Sequence, residues 1–238
     1  FNNWSDAVAS SSGYDDDLIL GKVDASCSQL RDNNILGERD SVILDRPQLS
    51  FKLLTALLYA ISKTKSLTVF DIGGSLGSTF YQHKKFIKSN IDAWNIIEQQ
   101  NFVTKGNRDY SSDILRFKYG LPDTIDRESS FFLLSSTLQY LESPYDYMES
   151  ISDLKPHYIF IDKTPFSCDN KDYLTVQHIT EPIYNATYPA WHFSESKLLV
   201  SLQNYEPYFT FNTYASVINE CRNFTSTFKG FFLKRIGT

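Results

Sequence analysis

A short apolar run that breaks on closely spaced glycines constrains this chain more than any other feature. Leu67-Thr68-Val69-Phe70-Asp71-Ile72 has the composition of a buried strand, and Gly73-Gly74-Ser75-Leu76-Gly77-Ser78 follows it without a spacer. Glycine lets the backbone turn tightly and approach a ligand closely. The helix expected over residues 79–88 then presents unpaired N–H groups at its start. A strand, a glycine loop and a helix in this order open a parallel α/β unit rather than a bundle or a sandwich.

The rest of the chain extends that unit. Residues 93–97, 115–119, 131–135 and 158–162 read as four more strands, with a helix over 144–152. Such alternation predicts parallel strands joined by right-handed crossovers. After a helix over 195–204, two aromatic runs at 208–214 and 226–234 lack a crossover helix between them, so they are expected to pair as an antiparallel hairpin at the sheet edge. Five parallel strands plus a terminal hairpin differ from the six parallel strands of the classical dinucleotide-binding fold. Residues 1–65 read as a helical cap. Trp4, Ala7 and Val8 lie at helical spacing, Asp15 to Asp17 start a second helix, residues 31–40 form a loop, and Pro47 opens a third helix over 48–63. Residues 66–238 are the ligand-binding domain, with a substrate-lid insertion near 165–193.

Composition narrows the class. At 238 residues and 42% hydrophobic, the chain can bury one sizeable core, and its 18 Phe and 15 Tyr are first of all core material. A net charge of -5 with scattered basic residues argues against nucleic acid as a partner. Cys27, Cys168 and Cys221 are far apart and form no CxxC pair, so neither a zinc site nor a disulfide framework is expected. With no HxH or HExxH spacing either, no metal is expected. No apolar run reaches the length of a membrane span, and no signal-peptide pattern opens the chain. A cytoplasmic location is the default expectation, with peripheral attachment at the inner face of the membrane left open. The sequence starts at Phe1 without a methionine, as a trimmed, processed or partial chain would.

Two carboxylates specify the ligand of the loop. Asp71, at the end of the strand, repels a pyrophosphate and suits an ammonium group. Glu98 ends the next strand, where it can accept hydrogen bonds from both hydroxyls of a ribose. Taken singly, Asp71 could be a helix cap and Glu98 a solvated loop acid. Together they describe S-adenosylmethionine, which has a ribose and a positively charged amino-acid end. A competing reading comes from Gly73-x-Ser75-x-Gly77, which matches the nucleophile elbow of α/β-hydrolases, with Asp162 and His178 or His192 following in the right order. An elbow of that kind follows several strands, whereas only helices are expected before residue 67. A third reading is a binding module that keeps the fold without the chemistry.

The string Val69-Phe70-Asp71-Ile72-Gly73-Gly74-Ser75-Leu76-Gly77-Ser78 resembles a bacterial family of class I S-adenosylmethionine-dependent methyltransferases associated with surface-polysaccharide gene clusters (O-antigen, lipopolysaccharide, capsule). The resemblance runs in order along nearly the whole chain. It includes Ala7 to Tyr14, Glu38-Arg39-Asp40-Ser41, Trp94-Asn95-Ile96-Ile97-Glu98-Gln99, Leu134 to Leu141, Asp162-Lys163-Thr164-Pro165-Phe166 and Tyr188 to Ser194. It implies a Rossmann-like sheet, a Gly-Gly-Ser-x-Gly cofactor loop in which Ser75 belongs to the pattern, and O-methylation of a sugar or glycan precursor. A polysaccharide-assembly complex or a longer chain is a setting it leaves open.

Further site residues are expected beyond the carboxyl ends of the strands. Gly73, Gly74, Ser75 and Gly77 would cradle the cofactor, Glu98 and Gln99 its ribose, Tyr119 its adenine edge, and Ser135, Ser136 and Leu138 its methionine side. Asp162 and His178 are the candidate catalytic pair, because a hydroxyl acceptor must lose its proton and histidine titrates near neutrality. His83 and His157 are expected at the surface. Tyr14, Arg39, Tyr81, Gln82, Thr164, Tyr188 and Trp191 form the polar-aromatic set expected around the acceptor, together with Tyr184.

Overall fold

The computed structural model describes residues 1–12, 16–183, 185–213, 217–219 and 224–237. The chain opens with α1 (Trp4–Ala9), α2 (Asp16–Arg31), the strand pair β1 (Gly37–Arg39) and β2 (Val42–Leu44), and α3 (Phe51–Lys63). The alternating region follows as β3 (Leu67–Ile72), α4 (Ser78–Ile87), β4 (Ile91–Ile97), α5 (Gln100–Asp109), β5 (Leu115–Lys118), β6 (Ser130–Ser135), α6 (Pro144–Leu154) and β7 (Tyr158–Ser167). Last come β8 (Tyr173–Ile179), β9 (Ala186–His192), α7 (Glu195–Val200), β10 (Tyr205–Asn212), β11 (Val217–Asn219) and β12 (Phe224–Arg235).

The central sheet runs in the order β10-β12-β7-β6-β3-β4-β5, with β11 attached to β12. β3 to β7 are parallel, while β12 is antiparallel to both β7 and β10. The chain leaves β3 towards β4 and β5, then returns to β6 on the other side of β3. That reversal opens a crevice between β3 and β6 at their carboxyl ends, where open α/β sheets hold ligands. Five parallel strands and a terminal antiparallel pair are as the hydrophobic pattern predicts. The last strand inserts between β7 and β10, so the first strand of the pair forms the edge.

Alternation along each strand divides the core into two layers. Val69, Trp94, Phe131, Phe160 and Phe232 face α3, α4 and α5, whereas Phe70, Phe132, Ile161 and Phe231 face α6 and α7. Ring contacts among Phe131, Tyr158, Phe160 and Phe232 show where much of the aromatic composition goes.

The structure corrects several expected boundaries. Residues 37–44, read in part as loop, form a hairpin whose turn residues Asp40 and Ser41 both have positive φ, 51° and 67°. α3 starts at Phe51 because the Ser50 hydroxyl accepts the Leu53 N–H and caps it there. α5 was not anticipated, α7 stops at Val200, and β7 continues five residues past Asp162 to Ser167. The insertion expected near 165–193 therefore begins after Ser167, and its body is the β8–β9 hairpin. Gly13, Tyr14, Asp15, Tyr184, Tyr214 and Cys221 lie outside the described residues.

Gly230 sits where β12 slips register against β7, with a Cβ there only 2.3 Å from the Phe211 ring and 2.7 Å from the Ile161 carbonyl oxygen. Gly230→Ala is expected to destabilise the fold by about 1–3 kcal/mol through this overlap. Urea unfolding measures it, and an unchanged midpoint contradicts the packing described.

Candidate active site

The loop after β3 is built around a buried carboxyl group. Asp71 is 3% exposed, accepts a hydrogen bond from Trp94 Nε1 at 3.0 Å, and lies directly beneath Gly74, where a Cβ would stand 2.7 Å from it. Burial pushes this carboxyl up to about 7, against the pull of the Trp94 bond. Asp71 therefore supports the loop from below rather than opening onto the crevice. Gly73 has φ 71° and presses on Thr137, whose hydroxyl donates to the Ile72 carbonyl at 2.8 Å. Gly77 has φ 96°, and Ser75, which replaces a middle glycine, has φ 55°. Serine is held in this unfavourable region partly by its N–H, which donates to Glu98 Oε1 at 3.1 Å.

Glu98 thus joins the end of β4 to the glycine loop. Its second oxygen accepts the Gln99 N–H at 2.9 Å, and the two bonds set the plane of the carboxylate. Tyr119, just past β5, is 72% exposed, while Gln99 is also exposed. On the other side of the crevice Ser135 and Ser136 are half-buried. The Ser136 N–H donates to the Asp162 carbonyl at 3.0 Å, and its hydroxyl accepts from Gln139 at 3.1 Å. Leu138 is wholly buried in the core and supports this wall from behind. The loop glycines, Ser75, Glu98, Ser135 and Ser136 are therefore brought together around one crevice.

The β1–β2 hairpin is fixed to the start of α4. Buried Glu38 bonds to the Ser78 hydroxyl and accepts the Ser41 N–H at 2.8 Å, and desolvation raises its pKa. Gln82 spends its amide on the carbonyls of Glu38 (3.1 Å) and Ser78 (3.2 Å) and accepts from the Gln48 N–H at 3.0 Å. Tyr81 donates to the Tyr110 carbonyl at 3.2 Å, and burial pushes its phenol up to about 12. Both side chains, expected to meet an acceptor, are committed to holding structure. Arg39 is half-buried on the same hairpin, with its Nε 3.4 Å from Asp40.

The candidate catalytic pair does not converge. Asp162 is buried, and its Oδ1 accepts from the Thr213 hydroxyl at 2.6 Å and the Lys163 N–H at 2.8 Å. His178 is exposed on β8, opposite Thr187. Its neighbour Gln177 accepts from the Tyr140 hydroxyl at 3.0 Å, so strand alternation turns His178 to the other face, where Thr187 bonds to Ser12. Thr164 is fully buried, and its hydroxyl donates to the Asp162 carbonyl at 3.2 Å. Tyr188 packs edge-on against Tyr140, while Trp191 donates to the Leu141 carbonyl at 3.1 Å and stacks on Trp4. Both fasten the lid hairpin between the sheet and α1.

Of the remaining histidines, His83 and His157 are buried and His192 is half-buried. His83, 2% exposed, accepts the Ser50 N–H at Nε2 (3.1 Å), and its Nδ1 lies 2.8 Å from the Thr79 carbonyl, which fixes the neutral ring. Phe80, His83 and Ile87 share the buried face of α4, a spacing that could have been read from the sequence. His157 is also buried, 3.4 Å from Glu128. Burial pushes His192, bonded to Ser226, down to about 4. Among the described residues no histidine bonds to Ser75, which leaves the nucleophile-elbow reading without its base. An open depression of about 690 Å³ lies at the amino end of the sheet, lined by Lys63, Asp126, Glu128, His157 and Lys234 among others. Glu128 there is paired to Arg235 and His157.

No protein-family model matches the sequence, and no curated protein matches it. The fold, in contrast, matches solved structures and is that of the class I methyltransferases. A SAM-dependent methyltransferase from Methanosarcina mazei aligns with TM-score 0.54 and 11% identity over 79% of this chain and 98% of that one. The N-terminal domain of EvdMO1, solved in the presence of SAH and D-fucose, aligns with TM-score 0.51 and 8% identity over 87% of this chain and 94% of that one. No described helix is long and apolar enough to cross a membrane.

Asp71 holds its proton more tightly folded than unfolded. It therefore favours the folded state below about pH 4, and this contribution is lost as pH rises towards about 7. Asp71→Asn is expected to remove that loss, read as a narrowing gap in unfolding midpoint between variant and wild type as pH falls from 8 to 4. Parallel pH profiles for the two proteins would contradict the assignment.

Proposed function

We propose that this chain is an S-adenosylmethionine-dependent methyltransferase that methylates a hydroxyl of a sugar or glycan precursor, releasing S-adenosylhomocysteine. One observation carries the reading. The glycine loop stands at the crevice between β3 and β6 with the Glu98 carboxylate fixed beside it by the N–H groups of Ser75 and Gln99. A carboxylate so oriented suits a ribose diol, while the backbone at Gly73 and Gly77 suits close approach by the amino-acid end. Ser135 and Ser136 complete the methionine side, and Gln99 and Tyr119 stand at the ribose and adenine side. When bound, the cofactor supplies both the electrophilic methyl and the leaving group. The protein's part is to hold the acceptor in line and receive its proton.

The acceptor class rests on supports that agree with one another. The sequence resembles methyltransferases of surface-polysaccharide gene clusters, and EvdMO1, which shares the fold, was solved with D-fucose and SAH. Arg39 and Asp40 stand on the hairpin above the crevice, within electrostatic reach of Lys163. The proposed setting is cytoplasmic, where nucleotide sugars and glycan precursors are assembled.

Methyl-labelled cofactor incubated with the protein and a panel of nucleotide sugars and polysaccharide extracts should place label on a sugar hydroxyl, identified by mass spectrometry. Glu98→Ala is expected to weaken S-adenosylhomocysteine binding by roughly tenfold or more, corresponding to loss of about 1.4 kcal/mol. Ser75→Ala is expected to keep transfer. Loss of all turnover in Ser75→Ala, with Ser75 labelled by a fluorophosphonate, would instead establish a hydrolase.

A further inference from the structure

Three positions along the carboxyl edge of the parallel sheet carry a non-glycine residue in left-handed backbone: Ser75 after β3 (φ 55°), Ser136 after β6 (φ 61°) and Lys163 within β7 (φ 52°). Such conformations persist only where the surroundings enforce them, and they concentrate at functional sites. At Lys163 the enforcement is visible. Its N–H donates to Asp162 Oδ1 at 2.8 Å, its carbonyl accepts from Gln139 at 3.3 Å, and the facing strand slips register between Lys229 and Phe231. The kink lies one residue past the Ser135–Asp162 pair, at the carboxyl edge of the parallel sheet.

Charged and titratable groups on several elements act on Lys163. Glu38, Arg39 and Asp40 do so from the β1–β2 hairpin, Asp71 from β3, His83 from α4, and Asp162 from β7 itself. The carboxylates are engaged elsewhere, Asp162 with Thr213 and Asp71 with Trp94. Among the described residues the Lys163 ammonium makes no hydrogen bond and no ion pair. Burial first, and then the Arg39 guanidinium, hold its pKa below the ordinary lysine value, which shifts the balance towards the neutral amine.

We propose that Lys163 is the general base of the methyl transfer, with Asp162 as the positioning residue that holds the kinked backbone beneath it. This inference rests on the function proposed above. The acceptor oxygen forms the new O–C bond as the S–C bond breaks, and the electron pair of that bond stays on sulfur, which becomes a neutral thioether. The hydroxyl proton passes to the Lys163 amine and from there to water. Neither Asp162 nor His178 has the placement for this step, since one is enclosed and the other faces away.

Two measurements test it. Competitive acetylation followed by peptide mass spectrometry should give Lys163 a titration midpoint below that of exposed Lys118, and saturating S-adenosylhomocysteine should change its reactivity. In the labelled-methyl assay, Lys163→Met and Lys163→Arg are both expected to lower kcat by roughly a hundredfold or more, because a permanently charged guanidinium cannot accept the proton. Their affinity for S-adenosylhomocysteine should stay within about threefold of wild type, a margin small beside that catalytic loss, which also shows that they are folded. Full turnover in Lys163→Arg, or a Lys163 that titrates like Lys118, overturns the role. Wild-type protein that binds no S-adenosylhomocysteine and transfers no methyl group overturns the proposed function itself.

Discussion

The crevice depends on a carboxyl group that never reaches it. Asp71 ends the central strand, is tied to Trp94 on the adjacent strand, and carries Gly74 directly on its oxygens. A side chain at Gly74 would strike it, so the loop can follow this path only with glycine there. From that support the loop rises through the left-handed residues Gly73 and Ser75 and is held at its crest by Glu98. Trp94 lies on β4 and Glu98 directly follows it, so one strand and its end fix the loop from below and from the side. Ionisation of Asp71, whose pKa burial pushes up to about 7, would load the same support with charge.

The two hairpins outside the sheet complete the surroundings. Glu38 places β1–β2 on the start of α4 through Ser78, and Gln82 reinforces that attachment. The β8–β9 hairpin is gripped on one face by Tyr140, Phe224 and Ser226 and on the other by Trp4 and Ser12. Of the residues expected to touch an acceptor, Gln82 and Trp191 help to position these hairpins, while Tyr81 is bonded to the Tyr110 carbonyl at the end of α5. What is left facing the crevice is a smaller and more polar set, centred on Glu98, Ser135, Ser136 and Lys163.

Much of this was legible in the sequence, for definite reasons. β3 and β6 are near-continuous apolar runs because both of their faces are buried, and β3 spans the expected residues, whereas edge strand β5 alternates buried Leu115 and Phe117 with exposed Arg116 and Lys118. The turn at Asp40-Ser41 was missed because a two-residue hairpin turn with positive φ at both positions normally announces itself with glycine or asparagine. His83, followed by two lysines on a helix, and His157, just before a strand, are expected at the surface but are buried, because burial is set by helical and strand register. His178 satisfied every chemical criterion for a base, but alternation along a hairpin strand that pairs only with its neighbour decided its direction. Lys163 gave the opposite problem: nothing in Asp162-Lys163-Thr164 signals that the strand kinks there.

Hydrogen exchange with and without S-adenosylhomocysteine addresses the central claim most directly, because the proposed cradle consists largely of backbone amides. The account predicts that saturating ligand slows exchange across residues 73–78 and 98–99, while the amino end of the sheet around Ser66 and Ser129 is unaffected. Unchanged exchange in the glycine loop, or protection confined to the amino end, would contradict it.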